Sequence, residues 1–176
     1  MQEIANDMTR PRHKGRAAIR LAQIAYREND LDKCRRYYEQ AVAISSDYSV
    51  MCASELGLSR ITLDEGDVKN ARMHLRRSLE YGTASQHFIR RNYYRQRADY
   101  VIQAAILMAH AGRLEWATSL LALAFSDAAT RNQRDVRLQS ELEAALPPHQ
   151  FAAAWERGQA LQWEETIDVL LAELAE

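Results

Sequence analysis

The groups that most often do chemistry in a protein are here five histidines, two cysteines and 24 carboxylates. A metal site needs ligands brought onto one face, but His13, His74, His87, His110 and His149 share no i, i+4 spacing. Cys34 and Cys52 have neither a Cys-x-x-Cys partner nor a nearby histidine, so they read as two reduced, structural thiols. Acid–base or nucleophilic catalysis needs convergent groups with tuned pKa values, and no such constellation stands out. Asp64-Glu65 precedes a turn and reads as a solvated pair. No Gly-x4-Gly-Lys-Ser/Thr loop is present to cradle phosphates. The expectation is a non-catalytic protein without metal or cofactor.

Recognition chemistry is better represented. Arg90-Arg91-Asn92-Tyr93-Tyr94-Arg95-x-Arg97 and Arg35-Arg36-Tyr37-Tyr38 interleave cations with aromatic rings, the composition of surfaces on which nucleic acids stack. The overall charge of −1 tempers that reading. Residues 139–176 hold eight acids against Arg157 alone, so the molecule is polar along its length rather than uniformly basic. An ordinary solvated face is the simpler account of both runs, and nucleic-acid binding stays an alternative.

The elements that must position any such groups follow from composition. With 47% hydrophobic and 27% charged residues, and only 6 Gly and 3 Pro over 176 positions, most of the chain lies in long regular elements. Those elements are rich in Ala, Leu, Arg, Glu and Gln, which favour helix, so the fold class is all-α. The longest apolar stretch, Val101 to Ala111, is broken by Gln103 and His110 and falls short of the roughly 18–20 residues that span a bilayer. The first twenty residues lack the apolar block of a secretory signal, which places the chain in the cytoplasm.

Three turns organise the helices: Asn29-Asp30-Leu31, Gly66-Asp67-Val68 and Gly112-Arg113-Leu114. Aligned on them, Cys34, Ala71 and Ala117 share one position, Tyr38, Leu75 and Leu121 the next, and Ala41, Ser78 and Ala124 the third. This small-x3-large-x2-small pattern lets the second helix of each hairpin pack closely while the large residue fills the gap beside it. The first helices carry the core stripes Ala18, Leu21, Ala22, Ala25, then Glu55, Leu58, Ser59, Thr62, then Val101, Ala104, Ala105, Met108. The second copy is the most polar. A helix capped by Thr83 or Ser85 would run through to Ala111, with Tyr94, Ala98, Val101, Ala105 and Met108 buried. Thr130 caps a further helix ending near Leu146, and Pro147-Pro148 stops it and starts the next. Phe151, Ala152 and Trp155 then share a face, Gly158 marks an end region, and Trp163, Ile167, Leu170, Leu171 and Leu174 form a last amphipathic stripe.

These aligned hairpins resemble the tetratricopeptide repeat (TPR), a helix-turn-helix unit of about 34 residues, over roughly Gly15 to Phe125. Both turn-to-turn steps are longer than that unit, and the large aromatic often found late in its first helix is absent. The resemblance implies a right-handed helical-hairpin solenoid in a single domain over 1–176. Three hairpins would lie at about 15–126 and a C-terminal helical cap at about 130–176, after an ill-defined lead-in at 1–14. It also implies a concave wall built from first-helix faces that do not pack into the core. Helical spacing puts Arg16, Gln23, Tyr26 and Arg27 on it from the first copy, Arg60 and Asp64 from the second, and Ile102, Ile106 and His110 from the third. Guanidinium groups with Tyr and Ile beside them would hold an extended acidic-apolar segment. The alternative is that the chain's own C-terminal helices, or an adjacent domain, fill the groove.

The run from Ala145 through Pro147-Pro148-His149-Gln150-Phe151 and Trp155-Glu156-Arg157-Gly158-Gln159-Ala160-Leu161 to Glu164-Glu165-x-Ile167 resembles a particular ending. It is similar to the C-terminus of bacterial STAND-class signalling ATPases and related large transcriptional regulators. In those proteins a P-loop NTPase switch is followed by a TPR-like sensor array. The resemblance implies a sensor that recognises a partner protein or peptide and controls an NTPase domain in cis or in trans, with ATP bound elsewhere than on this chain. A freestanding adaptor, or a scaffold that self-assembles through the solenoid ends, is the competing reading and allows a homo-oligomer.

Overall fold

The computed structural model describes residues 11–84, 94–127 and 133–175. Among them are nine helices and no strand, so the chain is all-α as its composition requires. They are α1 (Pro11–Arg27), α2 (Leu31–Ile44), α3 (Tyr48–Asp64), α4 (Val68–Ala84), α5 (Tyr94–His110), α6 (Leu114–Asp127), α7 (Gln133–Ala145), α8 (Pro148–Gln159) and α9 (Trp163–Glu173). Helices adjacent in sequence pack as pairs: α1 with α2, α3 with α4 and α5 with α6. The chain divides into two compact units, Met1–His87 and Phe88–Glu176.

The three hairpin turns are built alike. Asn29, Gly66 and Gly112 take positive φ angles of 59°, 85° and 75°, the left-handed conformation that ends a helix sharply. In each, the amide of that residue donates three residues back and the next amide five back, the Schellman pattern. Asn29 reaches Tyr26 O at 3.1 Å and Asp30 reaches Ala25 O at 3.0 Å. Gly66 reaches Leu63 O at 2.9 Å and Asp67 reaches Thr62 O at 2.8 Å, while Gly112 reaches Ala109 O at 3.0 Å and Arg113 reaches Met108 O at 2.9 Å. The returning helices then start on carboxylate caps in the first two copies: Asp30 accepts from the Lys33 amide at 3.0 Å, and Asp67 from the Asn70 amide at 3.1 Å. The Asn70 amides hold the Asp67 carboxyl below its usual range.

In the first unit α3 is central, packing on α1, α2 and α4, which is why it is buried on almost every side despite its serines and threonine. Several polar residues of this second copy have specific partners, whereas the Ser54 Oγ is buried without a hydrogen bond to any described residue. Ser59 donates to Ala71 O at 2.8 Å, Ser78 to Cys52 O at 2.7 Å, Thr62 to Leu58 O at 2.8 Å, and buried Glu55 lies 2.6 Å from His74 Nδ1 on α4. All nine residues of the small-large-small alignment are buried, from Cys34, Tyr38 and Ala41 to Ala117, Leu121 and Ala124. Tyr38 is accommodated because position 57 is glycine: a Cβ there would overlap the ring atoms Cζ, Cε1 and Cε2. Burial pushes the Tyr38 phenol up to about 12 and the Cys34 thiol up to about 11. Leu21 departs from the expected core stripe and is 44% exposed, although Ala18, Ala22 and Ala25 are buried.

In the second unit α8 docks closely on α6. Ser119 donates to Ala154 O at 2.8 Å, and a Cβ on Gly158 would overlap the Ser119 carbonyl, so Gly158 serves close approach inside the helix, which continues to Gln159. Trp155 stacks on Phe151 at 5.6 Å and meets Phe125 edge-on at 5.8 Å. The distinctive Phe-x3-Trp-x2-Gly run is thus the docking surface of α8. Ala152, expected on the same face, is exposed because the helix turns it outward. In α9 Ile167 and Leu170 are buried, as is Leu174 just beyond it, while Glu173 receives Arg113 at 2.7 Å and the Trp116 indole at 3.0 Å. Pro147-Pro148 starts α8 as expected. Thr83 lies within the last turn of α4 and donates to Glu80 O at 2.9 Å, so it caps no later helix; Ser85 and Thr130 lie outside the described residues.

Candidate binding wall

Six of the expected wall residues belong to the first unit. Gln23, Tyr26 and Arg27 follow one another at i, i+3, i+4 on α1, and Arg60 and Asp64 at i, i+4 on α3, so each set shares a face. α1 and α3 pack together, and their C-terminal ends are joined by the Tyr26 hydroxyl, which donates to Asp64 Oδ2 at 2.6 Å. Asp64 and Glu65 are exposed as expected, and both are engaged: Tyr26 donates to Asp64, and Glu65 is ion-paired with Arg35 of α2. Gln23 accepts from Arg20 at 3.2 Å. Arg16 and Arg27 are exposed.

Arg60 is the least ordinary member. It is half-buried, and its Nε is shut off from solvent without a hydrogen-bond partner. Its positive charge favours ionisation of Cys34 and Tyr38, opposing the larger effect of their burial. By formal charge Arg16, Arg27 and Arg60 outnumber Asp64 on this face. Three guanidinium groups beside a phenol suit a carboxylate-bearing ligand through charge-assisted hydrogen bonds.

Ile102, Ile106 and His110 lie in the second unit. The two isoleucines are not exposed anchors: they are 6% and 8% exposed. The reason lies in the packing of α5, which meets α7 as well as α6, so the face left open by helical spacing is covered. Ile106 and exposed His110 line a cavity of about 270 Å³ with Leu138, Glu141, Leu142 and Ala145 of α7. The chain's own later helix thus occupies ground that the wall reading assigned to a ligand.

The basic-aromatic runs fare similarly. Tyr38 is a core residue, Arg35 is ion-paired with Glu65, and buried Arg97 lies over the Trp163 ring at 5.5 Å. Residues 90–93 lie outside the described residues. Among the described residues no three His, Cys, Asp or Glu side chains gather as a metal site, and no helix is long and apolar enough to cross a membrane. Sequence reasoning missed the Tyr26–Asp64 link and the Arg35–Glu65 pair. Their signal was an aromatic and an acid at the ends of two first helices that the repeat alignment makes neighbours. No protein-family model, curated protein or solved structure matches the chain.

Proposed function

We propose that this chain is a non-catalytic, TPR-like recognition module of the cytoplasm that binds an acidic segment of a partner protein or peptide. In the same reading, which rests on the resemblance of its C-terminal run to STAND-class sensors, binding controls an NTPase switch held in cis or in trans. Control of that kind works by population shift, and only a difference in affinity between two arrangements of switch and module transmits a signal. The repetition of one Schellman turn and one buried small-large-small register in three hairpins supports the repeat reading. The observation that carries the ligand class is the cationic face of α1 and α3, where Arg16, Arg27 and half-buried Arg60 outnumber Asp64.

Burial of Ile102 and Ile106 narrows the ligand further, since Tyr26 is then the main apolar contact of the wall and acidic side chains carry the specificity. The test is isothermal titration of acidic and neutral peptides against the wild type, Arg27→Glu and Arg60→Gln. Acidic peptides should bind, with affinity falling about tenfold or more in each variant. Equal affinities in all three proteins would remove the wall from the binding site.

A further inference from the structure

The repeat register shows which side of the first hairpin lacks a neighbour among the described residues. Leu21 and Ile24 precede Asn29 by the same intervals at which Leu58 and Ile61 precede Gly66, and Ala104 and Leu107 precede Gly112. Leu58 and Ile61 are 4% and 0% exposed, because they pack against Ala22, Ala25, Cys34 and Tyr38 of the hairpin before. Ala104 and Leu107 are equally buried, at 0% and 2%. Leu21 and Ile24 are 44% and 47% exposed, so the first hairpin presents a stacking face that the second covers. That stripe is flanked by the exposed cations Lys14 and Arg20, with exposed Glu28 at its C-terminal end.

The last helix has the opposite character. α9 contains Glu164, Glu165, Asp168 and Glu173 and no base. It buries Ile167 and Leu170 and turns Glu165, Asp168, Val169 and Ala172 outward on one stripe, with Val169 45% exposed. Two exposed aliphatic stripes flanked by charges of opposite sign are complementary.

We propose that a second copy of this chain docks its α9 on α1, head to tail, setting Val169 and Ala172 on Leu21 and Ile24 with Asp168 beside Arg20. The two surfaces differ, so the contact is heterologous and each docked copy leaves one face of each kind open; association extends into chains unless a ring closes. Small apolar stripes on single helices fall well below the roughly 800 Å² per partner of a stable interface, so assembly is weak, concentration-dependent and salt-sensitive.

Sedimentation velocity of the full chain over a wide concentration range tests this. The wild type should rise above 20.2 kDa with concentration and fall back as salt is added. Leu21→Glu and Val169→Glu should each weaken association by at least about tenfold, because each disables one face. Mixed together, the two variants should form a one-to-one dimer and nothing larger, since one keeps a working α1 and the other a working α9. Circular dichroism checks that both stay helical, and Ile24→Glu with Asp168→Arg replaces the pair if either unfolds. A wild type that stays monomeric, a single variant that still associates, or a mixture that stays monomeric would each overturn the proposal. Self-association of Val169→Glu alone would be the outcome of a symmetric α1–α1 contact.

Discussion

The pairing of Tyr38 with Gly57 offers a sharp test of how α2 and α3 are held, and so of the framework beneath the wall. Gly57→Ala places a methyl group where three ring atoms of Tyr38 already lie closer than real Cβ contacts allow. The ring is 7% exposed and walled by Ala22, Ala25, Cys34, Leu58 and Ile61, so it has no free volume into which to retreat. Overpacking of this kind costs about 3 kcal/mol at its upper range, against which alanine returns about 1 kcal/mol of helix propensity, leaving a net loss of about 2 kcal/mol. The equivalent of Tyr38 is Leu75 in the second hairpin and Leu121 in the third, so Tyr38→Leu is a replacement the repeat already tolerates. In that background the ring is gone, and Gly57→Ala should become neutral or stabilise by up to about 1 kcal/mol. The double-mutant cycle then gives a coupling of about 2–3 kcal/mol, and its signature is the change of sign. Urea unfolding followed by circular dichroism measures each corner, with unchanged m-values required for the comparison. Equal costs for Gly57→Ala in both backgrounds would refute the packing argument.

Two further predictions concern local chemistry. Asn29 is the one non-glycine residue with positive φ among the described residues, and Asn29→Gly should raise stability by about 0.5–1 kcal/mol, seen as a higher urea midpoint. Asp47 caps α3, accepting from the Ser49 amide at 2.9 Å and pairing with Arg12 at 3.2 Å. Burial alone would raise its pKa, but the Ser49 hydroxyl and amide and the Arg12 charge together hold the carboxyl below its usual range. A depressed folded pKa means that the stabilisation is complete above the unfolded value near 3.9 and disappears as pH falls through the folded one. Asp47→Ala should therefore lose about 1 kcal/mol at neutral pH, and the gap from wild type should close in acid; a pH-independent gap would show that the charge plays no part.

How much could be read beforehand depended on whether a position answers to its own chain segment or to a neighbour. Turn residues and helix-facing small residues answer locally. Asn29, Gly66 and Gly112 fix the backbone by their own allowed φ, and Cys34, Ala71 and Ala117 follow at a spacing set by the helix, so these were legible. Thr83 was misread because a hydroxyl near a helix end satisfies a carbonyl within its helix as readily as it caps a new one, and only the observed donation to Leu79 and Glu80 decides. Ile102 and Ile106 were misread for a different reason. Helical spacing says which residues share a face, and it is silent on which later helix arrives to cover that face.

The same distinction explains Leu21, whose exposure is the most informative departure. Its apolar character and position match Leu58, so any reading based on register assigns it to the core. In a stacked array, however, burial of a repeat's outer face is supplied by the neighbour, and the identical residue is core in one copy and surface in another. Leu58 is covered by Ala22, Cys34 and Tyr38, whereas Leu21 has no such hairpin before it among the described residues. A residue of core type placed by the repeat on an uncovered face therefore indicates where the next contact belongs. The charges beside the two stripes then select which surface supplies it, since exposed Lys14 and Arg20 next to Leu21 and Ile24 attract exposed Glu165 and Asp168 next to Val169 in trans.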